Sequence, residues 1–136
     1  MSKERFFLDT AYVQALLNRR DQHHERAKEM LPRVRAAVEV WITEAVLIEI
    51  GNALSSFDRQ AAVRFIEGCY KTGNIHVVSV DTGLLERALQ LYRDRPDKQW
   101  GLTDCISFVT MRDQRLTLTL TMDDHFRQAG FQVLMV

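Results

Sequence analysis

Short apolar segments alternate along this chain with segments whose apolar residues recur every three or four positions. Segments of the first kind fit buried strands, and segments of the second kind fit helices with one buried face. Five strands are predicted, at residues 5–8, 40–42, 75–80, 116–120 and 131–134. Because consecutive parallel strands need a helical crossover, this alternation predicts an α/β fold. We expect a small parallel twisted sheet of four to five strands with helices on both faces.

Polar residues of the kind that cap helices precede several of the predicted helices. Asp21, Thr43, Asp58 and Asp81 each stand just before a segment with helical periodicity. The helices with two predicted ends are 11–17, 43–55, 58–70, 103–112 and 123–128. Two further helices are expected after Asp21 and after Asp81.

The composition is that of a globular protein. The chain has 136 residues, of which 46% are hydrophobic and 26% are charged, and we expect one domain over residues 1–136. Its apolar runs are shorter than the roughly 18 to 20 residues of a membrane span, and no signal peptide is recognisable, so we expect a cytoplasmic protein without a membrane partner. Basic and acidic residues both number 18, so net charge provides no argument for a polyanionic ligand.

Two acids lie just after predicted strands, Asp9 immediately and Asp123 three residues on. Asp9 follows the first strand in the segment FFLDT, and Asp123 follows the fourth in the segment TMDDHF. In open α/β sheets, ligands bind beyond the carboxyl ends of the strands. Both side chains are therefore expected at the edge where a site would form. Helix capping is the alternative role for each residue, and for either one alone it is the simpler explanation.

A third acid falls on the predicted buried stripe of a helix. Glu49 is expected to share this stripe with Val46, Ile50, Ala53 and Leu54. A carboxylate that faces the protein interior is costly unless it pairs with a cation or binds a metal ion. No Lys or Arg lies one turn away along this helix. The position therefore predicts a metal ligand.

A fourth acid, Asp104, lies in the first turn of an otherwise apolar helix. The helix dipole alone is sufficient to explain an acid at that position. Four acids at strand ends and on helix faces nevertheless predict one acidic pocket. Carboxylate oxygens are the ligands that hard divalent cations prefer. We therefore expect Asp9, Glu49, Asp104 and Asp123 to converge on a divalent metal site.

With these four acids the chain resembles the PIN-domain nucleases, and more closely the VapC-type toxins of bacterial and archaeal toxin–antitoxin pairs. The resemblance spans nearly the whole chain and is carried by motifs in family order. They are FFLDTAYVQALLN, TEAVLIEIGNAL, GLTDCISF and LTLTMDDHFRQAGF. The resemblance implies a PIN-like fold and an endoribonuclease that hydrolyses RNA phosphodiester bonds with Mg²⁺ or Mn²⁺. It also implies a cognate antitoxin protein, a type II toxin–antitoxin pair and a homodimer.

The same resemblance implies roles for individual residues. The quartet that it assigns to metal binding and catalysis is Asp9, Glu49, Asp104 and Asp123. Thr10 and Thr121 stand where the family places supporting hydroxyl residues. The family usually has a single Asp near the fourth strand, whereas this chain has two. Asp123 is the one that brings Thr-x-Asp-x-His-Phe into register, and Asp124 is expected to face solvent.

Other classes of protein and other site residues fit the sequence less well. A haloacid-dehalogenase phosphatase needs a second Asp where this chain has Ala11, and a response-regulator receiver needs an acidic pair at the first strand, which is not found. His23 and His24 fall on different faces of a charged helix, and His125 is expected to pack or cap near the pocket rather than to bind metal. A PIN-fold scaffold that binds RNA or protein without catalysis stays open, although the presence of all four acids argues against it.

Overall fold

The computed structural model describes residues 3–135, and within that range the chain forms five strands and seven helices. The elements are, in order, β1 Arg5–Leu8, α1 Thr10–Leu17, α2 His24–Ala36, β2 Glu39–Thr43, α3 Glu44–Leu54, α4 Arg59–Lys71, β3 Ile75–Val78, α5 Thr82–Asp94, α6 Leu102–Asp113, β4 Leu118–Leu120, α7 Asp124–Gln128 and β5 Gln132–Val133. None of the described helices is both long and apolar enough to cross a bilayer.

The five strands form one sheet in the order β3-β2-β1-β4-β5, and every neighbouring pair is parallel. This confirms the predicted α/β fold. The chain leaves β1 towards β2 and β3, and then crosses back to β4 and β5 on the other side. Because such crossovers are right-handed, α1 to α4 cover one face and α5 to α7 cover the other. The direction of winding therefore changes between β1 and β4.

Large apolar side chains fill the core on both faces of the sheet. Phe6 and Phe7 of β1 are fully buried, and they face opposite sides because side chains alternate along a strand. The side chains from Cys105 to Met111 in α6 are all buried, as expected for a helix in the centre of a layer. The rings of Phe108 and Phe126 meet edge to face with centroids 4.9 Å apart, which anchors α7 against α6 close to the carboxyl edge of the sheet.

Three of the four predicted caps are confirmed. The side chains of Thr43, Asp58 and Asp81 accept hydrogen bonds from backbone N–H groups at 3.2, 3.0 and 2.8 Å. The prediction for Asp21 is wrong, because α2 begins later, at His24, with His23 as its cap residue. The Asp21 carboxylate instead accepts the backbone N–H of His23 at 2.8 Å. It shapes the turn before the helix.

The third, fourth and fifth strands are shorter than their apolar segments predicted, whereas β1 matches its prediction and β2 is longer. The segment 75–80 forms a strand only to Val78, and the segment 116–120 begins its strand at Leu118. At the second position the backbone N–H of Leu116 donates to the Met111 carbonyl at 2.8 Å, and Arg115 adopts a φ of 57°. Leu116 therefore closes the end of α6 and does not belong to the sheet. This position accounts for its apolar side chain.

Candidate metal centre

The carboxyl ends of β1 and β4 bring two polar side chains into contact. Leu8 and Leu120 are partners in the ladder, and the N–H of Asp9 continues it with a hydrogen bond of 3.2 Å to the Leu120 carbonyl. Asp9 and Thr121, the residues that directly follow β1 and β4, therefore lie side by side. The hydroxyl of Thr121 donates to Asp9 Oδ2 at 2.7 Å. The pair lies where the winding direction changes, which is the usual ligand position in open α/β sheets.

Asp9 is a buried carboxyl group with only 5% of its surface exposed. Burial raises its pKa to about 7. The hydrogen bond from Thr121 opposes that rise, whereas the negative charges of Asp104 and Asp123 add to it. Both of these neighbouring charges have the same sign as ionised Asp9. A cation bound among the three carboxylates would therefore offset the free-energy cost of burying the Asp9 charge and the repulsion between the carboxylates.

Asp104, Asp123 and His125 form a compact group beside Asp9, with one ligand atom from each within 4.8 Å of the others. His125 Nδ1 lies 2.9 Å from Asp104 Oδ2 and 3.4 Å from Asp123 Oδ1. Burial raises the pKa of Asp104, the hydrogen bond with His125 opposes that rise, and the charge of Asp123 adds to it. An ionised carboxylate only accepts hydrogen bonds, so His125 Nδ1 carries a proton when it bonds Asp104.

Capping explains only part of this arrangement. Asp9 occupies the cap position of α1 but makes no side-chain cap bond. Asp104 Oδ2 accepts the N–H of Gly101 at 3.1 Å, and Asp123 Oδ1 accepts the N–H of His125 at 2.9 Å. Within residues 3–135 no hydrogen bond reaches the other oxygen of Asp104 or Asp123. One oxygen of each carboxylate is therefore uncommitted, which fits a divalent cation with oxygen ligands.

Glu49 does not lie where its sequence environment predicted. Val46, Ile50 and Leu54 are buried, but Glu49 and Ala53 are exposed, so the prediction that Glu49 faces inward is wrong. The buried stripe is centred near Ile50, and the adjacent position lies about 100° around a helix of 3.6 residues per turn. Burial therefore gives no reason for a metal ligand at Glu49.

A hydrogen bond nevertheless joins Glu49 to the site. The hydroxyl of Thr10 donates to Glu49 Oε1 at 2.7 Å, and Thr10 is the residue that directly follows Asp9. Thr10 is buried, with 7% of its surface exposed, so it holds the Glu49 carboxylate in one direction. The structure thus brings Asp9, Asp104 and Asp123 within electrostatic reach of one another and attaches Glu49 at their border.

Sequence comparison assigns the chain to a family. The family described as PIN domain matches residues 6–132. The chain belongs to the PIN domain family. No curated protein matches the sequence, so the relatives that bear on this PIN domain are solved structures.

Several solved structures are similar to this PIN domain over nearly their whole length, and three of them are described here. VapC20 of Mycobacterium tuberculosis, described as a Sarcin–Ricin loop cleaving toxin, is 25% identical, with a TM-score of 0.84 over 96% of this chain and 98% of that one. VapBC2 of Rickettsia felis, bound to a promoter DNA fragment, is 10% identical with a TM-score of 0.66 over 96% and 97%. FitAcB of Neisseria gonorrhoeae is 15% identical with a TM-score of 0.64 over 95% and 96%. The expected PIN-like fold and the resemblance to VapC-type toxins are confirmed.

Three other polar residues from the sequence analysis have defined contacts in the structure. Asp124 is exposed and bonds Arg127 at 2.6 Å, so the expectation that it faces solvent is confirmed. His24 Nδ1 lies 2.8 Å from the Ala15 carbonyl and is engaged in packing α2 against α1. His125 packs at the pocket as expected, but its contact with Asp104 joins residues 21 positions apart. No local sequence signal identifies that contact in this PIN domain.

Thr121 is expected to determine the metal affinity of this PIN domain. Its hydroxyl donates to Asp9 and accepts the N–H of Asp123 at 3.0 Å, so it positions two of the acids at once. Thr121→Val should weaken Mn²⁺ binding about 10- to 100-fold, as loss of a group that orients metal ligands typically does. Thr110→Val is the matched control, because the buried Thr110 hydroxyl has no hydrogen-bond partner within the described residues. Equal affinities of the two variants in calorimetric titration would contradict this role.

Proposed function

We propose that this PIN domain is an endoribonuclease that hydrolyses RNA phosphodiester bonds with Mg²⁺ or Mn²⁺. The observation that carries the proposal is the buried carboxyl of Asp9, which has a pKa near 7 and faces two further acids at the carboxyl edge of the sheet. Such a group gains most from a bound cation. The proposed metal-binding and catalytic residues are Asp9, Glu49, Asp104 and Asp123. Thr10 and Thr121 are proposed to support them.

Each residue has a distinct task in this proposal. When bound, a divalent ion would supply an activated water molecule and neutralise charge on the phosphate. Asp9 would hold the ion from the floor of the site, fixed by the hydroxyl of Thr121. Asp104 and Asp123 would direct their uncommitted oxygens at it, and His125 would hold Asp104 in place through Nδ1. Glu49, directed by Thr10, would complete the acidic edge on the solvent side.

The biological role that we propose is that of a toxin in a type II toxin–antitoxin pair. VapC20 of Mycobacterium tuberculosis is a toxin that cleaves the Sarcin–Ricin loop, and a VapBC complex has been solved from Haemophilus influenzae. By analogy, the partners would be an RNA substrate, an antitoxin protein that covers the acidic site, and a second copy in a homodimer. The site of action would be the cytoplasm, and residues 1–136 would act as one domain.

The test of this function is cleavage of defined RNA by the purified protein. Total RNA and a Sarcin–Ricin loop oligonucleotide are incubated with Mg²⁺, with Mn²⁺ or with EDTA, and the products are separated by gel electrophoresis. We expect cleavage with either ion and none with EDTA, and we expect growth arrest when the protein is expressed without an antitoxin. RNA that is bound equally well with and without metal, and never cut, would instead support the non-catalytic scaffold.

A further inference from the structure

A groove with basic and aromatic walls lies beside the acidic site, between the end of α5 and the loop that joins α5 to α6. We call it the α5–α6 groove. Its volume is about 730 Å³, and its lining includes Leu89, Tyr92, Arg93, Arg95, Lys98 and Trp100. Among the described residues that line it, three are cations and none is an acid. Its charge is therefore opposite to that of the neighbouring site.

Two hydrogen bonds fix the α5–α6 groove next to the candidate metal centre. Gly101 lines the groove, and its backbone N–H donates to Asp104 Oδ2 at 3.1 Å. The indole N–H of Trp100 donates to Gln128 Oε1 at 3.0 Å. Gln128 is the last residue of α7, the helix that starts directly after Asp123. The α5–α6 groove therefore adjoins the acidic site.

One wall of the α5–α6 groove is preformed. The Arg95 guanidinium lies over the Trp100 ring, 5.2 Å from its centroid, and Trp100 packs edge-on against Phe108 with centroids 4.9 Å apart. Arg95 also donates to both oxygens of Asp97 at 3.0 and 2.9 Å. These bonds lower the pKa of Asp97 to about 2, so Asp97 stays ionised and balances the charge of Arg95. Because these side chains are already held in place, ligand binding would cost little side-chain conformational entropy in this wall.

Three other side chains of the groove are available to a ligand. Arg93 donates to the amide oxygen of Gln90 at 2.8 Å and not to a carboxylate. Lys98 Nζ forms an ion pair of 4.0 Å with Asp97 Oδ2, which is too long for a hydrogen bond and leaves its N–H groups able to donate to a ligand. The side chain of Tyr92 is 49% exposed. Two such cations beside an open aromatic ring match the phosphates and a base of a nucleic acid strand.

We propose that the α5–α6 groove binds an unpaired segment of the RNA substrate, with its phosphates beside Arg93 and Lys98 and one base stacked on Tyr92. This inference rests on the proposed endoribonuclease function and extends it to how the substrate is held. An aromatic side chain accepts any base whose face is free, whereas the bases of a duplex are already stacked on one another. The groove therefore selects single-stranded regions, such as loops, for cleavage at the adjacent acidic site.

The experiment measures binding of a fluorescent single-stranded RNA by anisotropy in Ca²⁺ buffer, together with its cleavage in Mg²⁺. Tyr92→Leu is expected to raise Kd about 5- to 150-fold, the effect of losing one stacked base, while Tyr92→Phe keeps the ring and the affinity. Lys98→Gln should reduce the slope of log K against log salt by about 0.7. Lys71→Gln is the matched control, because Lys71 lies in the last turn of α4 and does not line the groove.

The possible results separate this inference from the proposed function. If the wild type cuts RNA and Tyr92→Leu and Lys98→Gln bind and cut as it does, the groove is overturned and the function stands. If the wild type binds with the expected losses in the variants but never cuts, the groove is supported and the nuclease function fails. A wild type that does neither overturns both. A change in oligomeric state of Tyr92→Leu by light scattering, with RNA affinity unaltered, would assign this face to a protein contact and overturn the groove.

Discussion

Asp9→Asn is expected to reduce metal-dependent RNA cleavage by at least about 100-fold, because it removes a charge that lies at the floor of the site and that a bound cation needs. Asn keeps the size of the side chain and still accepts the hydrogen bond of Thr121. The loss should therefore arise from metal binding and not from unfolding. Initial cleavage rates in Mg²⁺ and calorimetric Mn²⁺ titration of the same variant provide the measurement.

Asp124→Asn is the matched control for this substitution. Asp124 stands next to Asp123, but its side chain is exposed and paired with Arg127, so the same chemical change should leave cleavage near the wild-type rate. Asp123→Asn is expected to resemble Asp9→Asn. Cleavage that survives Asp9→Asn, or that is lost in Asp124→Asn and kept in Asp123→Asn, would contradict the proposed assignment of the acids.

Cleavage at subsaturating Mg²⁺ is expected to rise with pH until about pH 7 and then to level off. Burial raises the pKa of Asp9 to about 7, so below that pH the carboxyl is protonated and the ion must displace the proton. Higher Mg²⁺ concentrations favour the deprotonated form, and the midpoint of the profile should therefore move to lower pH. A pH–rate profile at two Mg²⁺ concentrations measures the shift, and a midpoint independent of Mg²⁺ would count against Asp9 as a ligand.

The same pKa predicts that the metal-free protein becomes less stable as the pH rises. A carboxyl whose pKa is higher in the folded protein than in the unfolded chain binds more protons when folded. Its stabilising contribution is full below about pH 4 and is lost as the pH approaches 7, by on the order of 4 kcal/mol if the pKa moves from 3.8 to about 7. In urea titrations between pH 4.5 and 8, metal-free Asp9→Asn should lack this decline and become the more stable protein at high pH. Saturating Mg²⁺ should stabilise only the wild type.

The sheet and most helix starts were predictable because local patterns determine them. Alternation of strand-like and helical segments leaves few arrangements other than a parallel sheet, and Thr43, Asp58 and Asp81 cap helices through bonds that span three residues. Asp21 misled the prediction for α2, since a side chain suited to capping also suits the turn before a helix. Leu116 misled the prediction for β4, because an apolar residue that closes a helix resembles one that begins a strand.

Glu49 illustrates how a site residue is harder to predict than the fold. The helical period predicts a buried stripe of Val46, Ile50, Ala53 and Leu54. Ala53 is exposed and the other three are buried, so the covered face is narrower than predicted and leaves Glu49 outside it. How wide a helix face is covered depends on the elements packed against it, and residues outside the helix decide that. The hydrogen bond from Thr10 crosses 39 positions of the chain, and periodicity along a single helix carries no information about it.

The sequence by itself determined the order of the elements, three of the helix caps and the presence of acids after β1 and β4, because these depend on residues close together in the chain. Only the tertiary structure decided that Asp9 is buried among like charges, that His125 holds Asp104, and that a basic groove lies beside an acidic site. Each of these follows from contacts between distant segments. Burial and the nearby charges of Asp104 and Asp123 set the pKa of Asp9. Both exist only in the folded chain, because they depend on contacts with other segments.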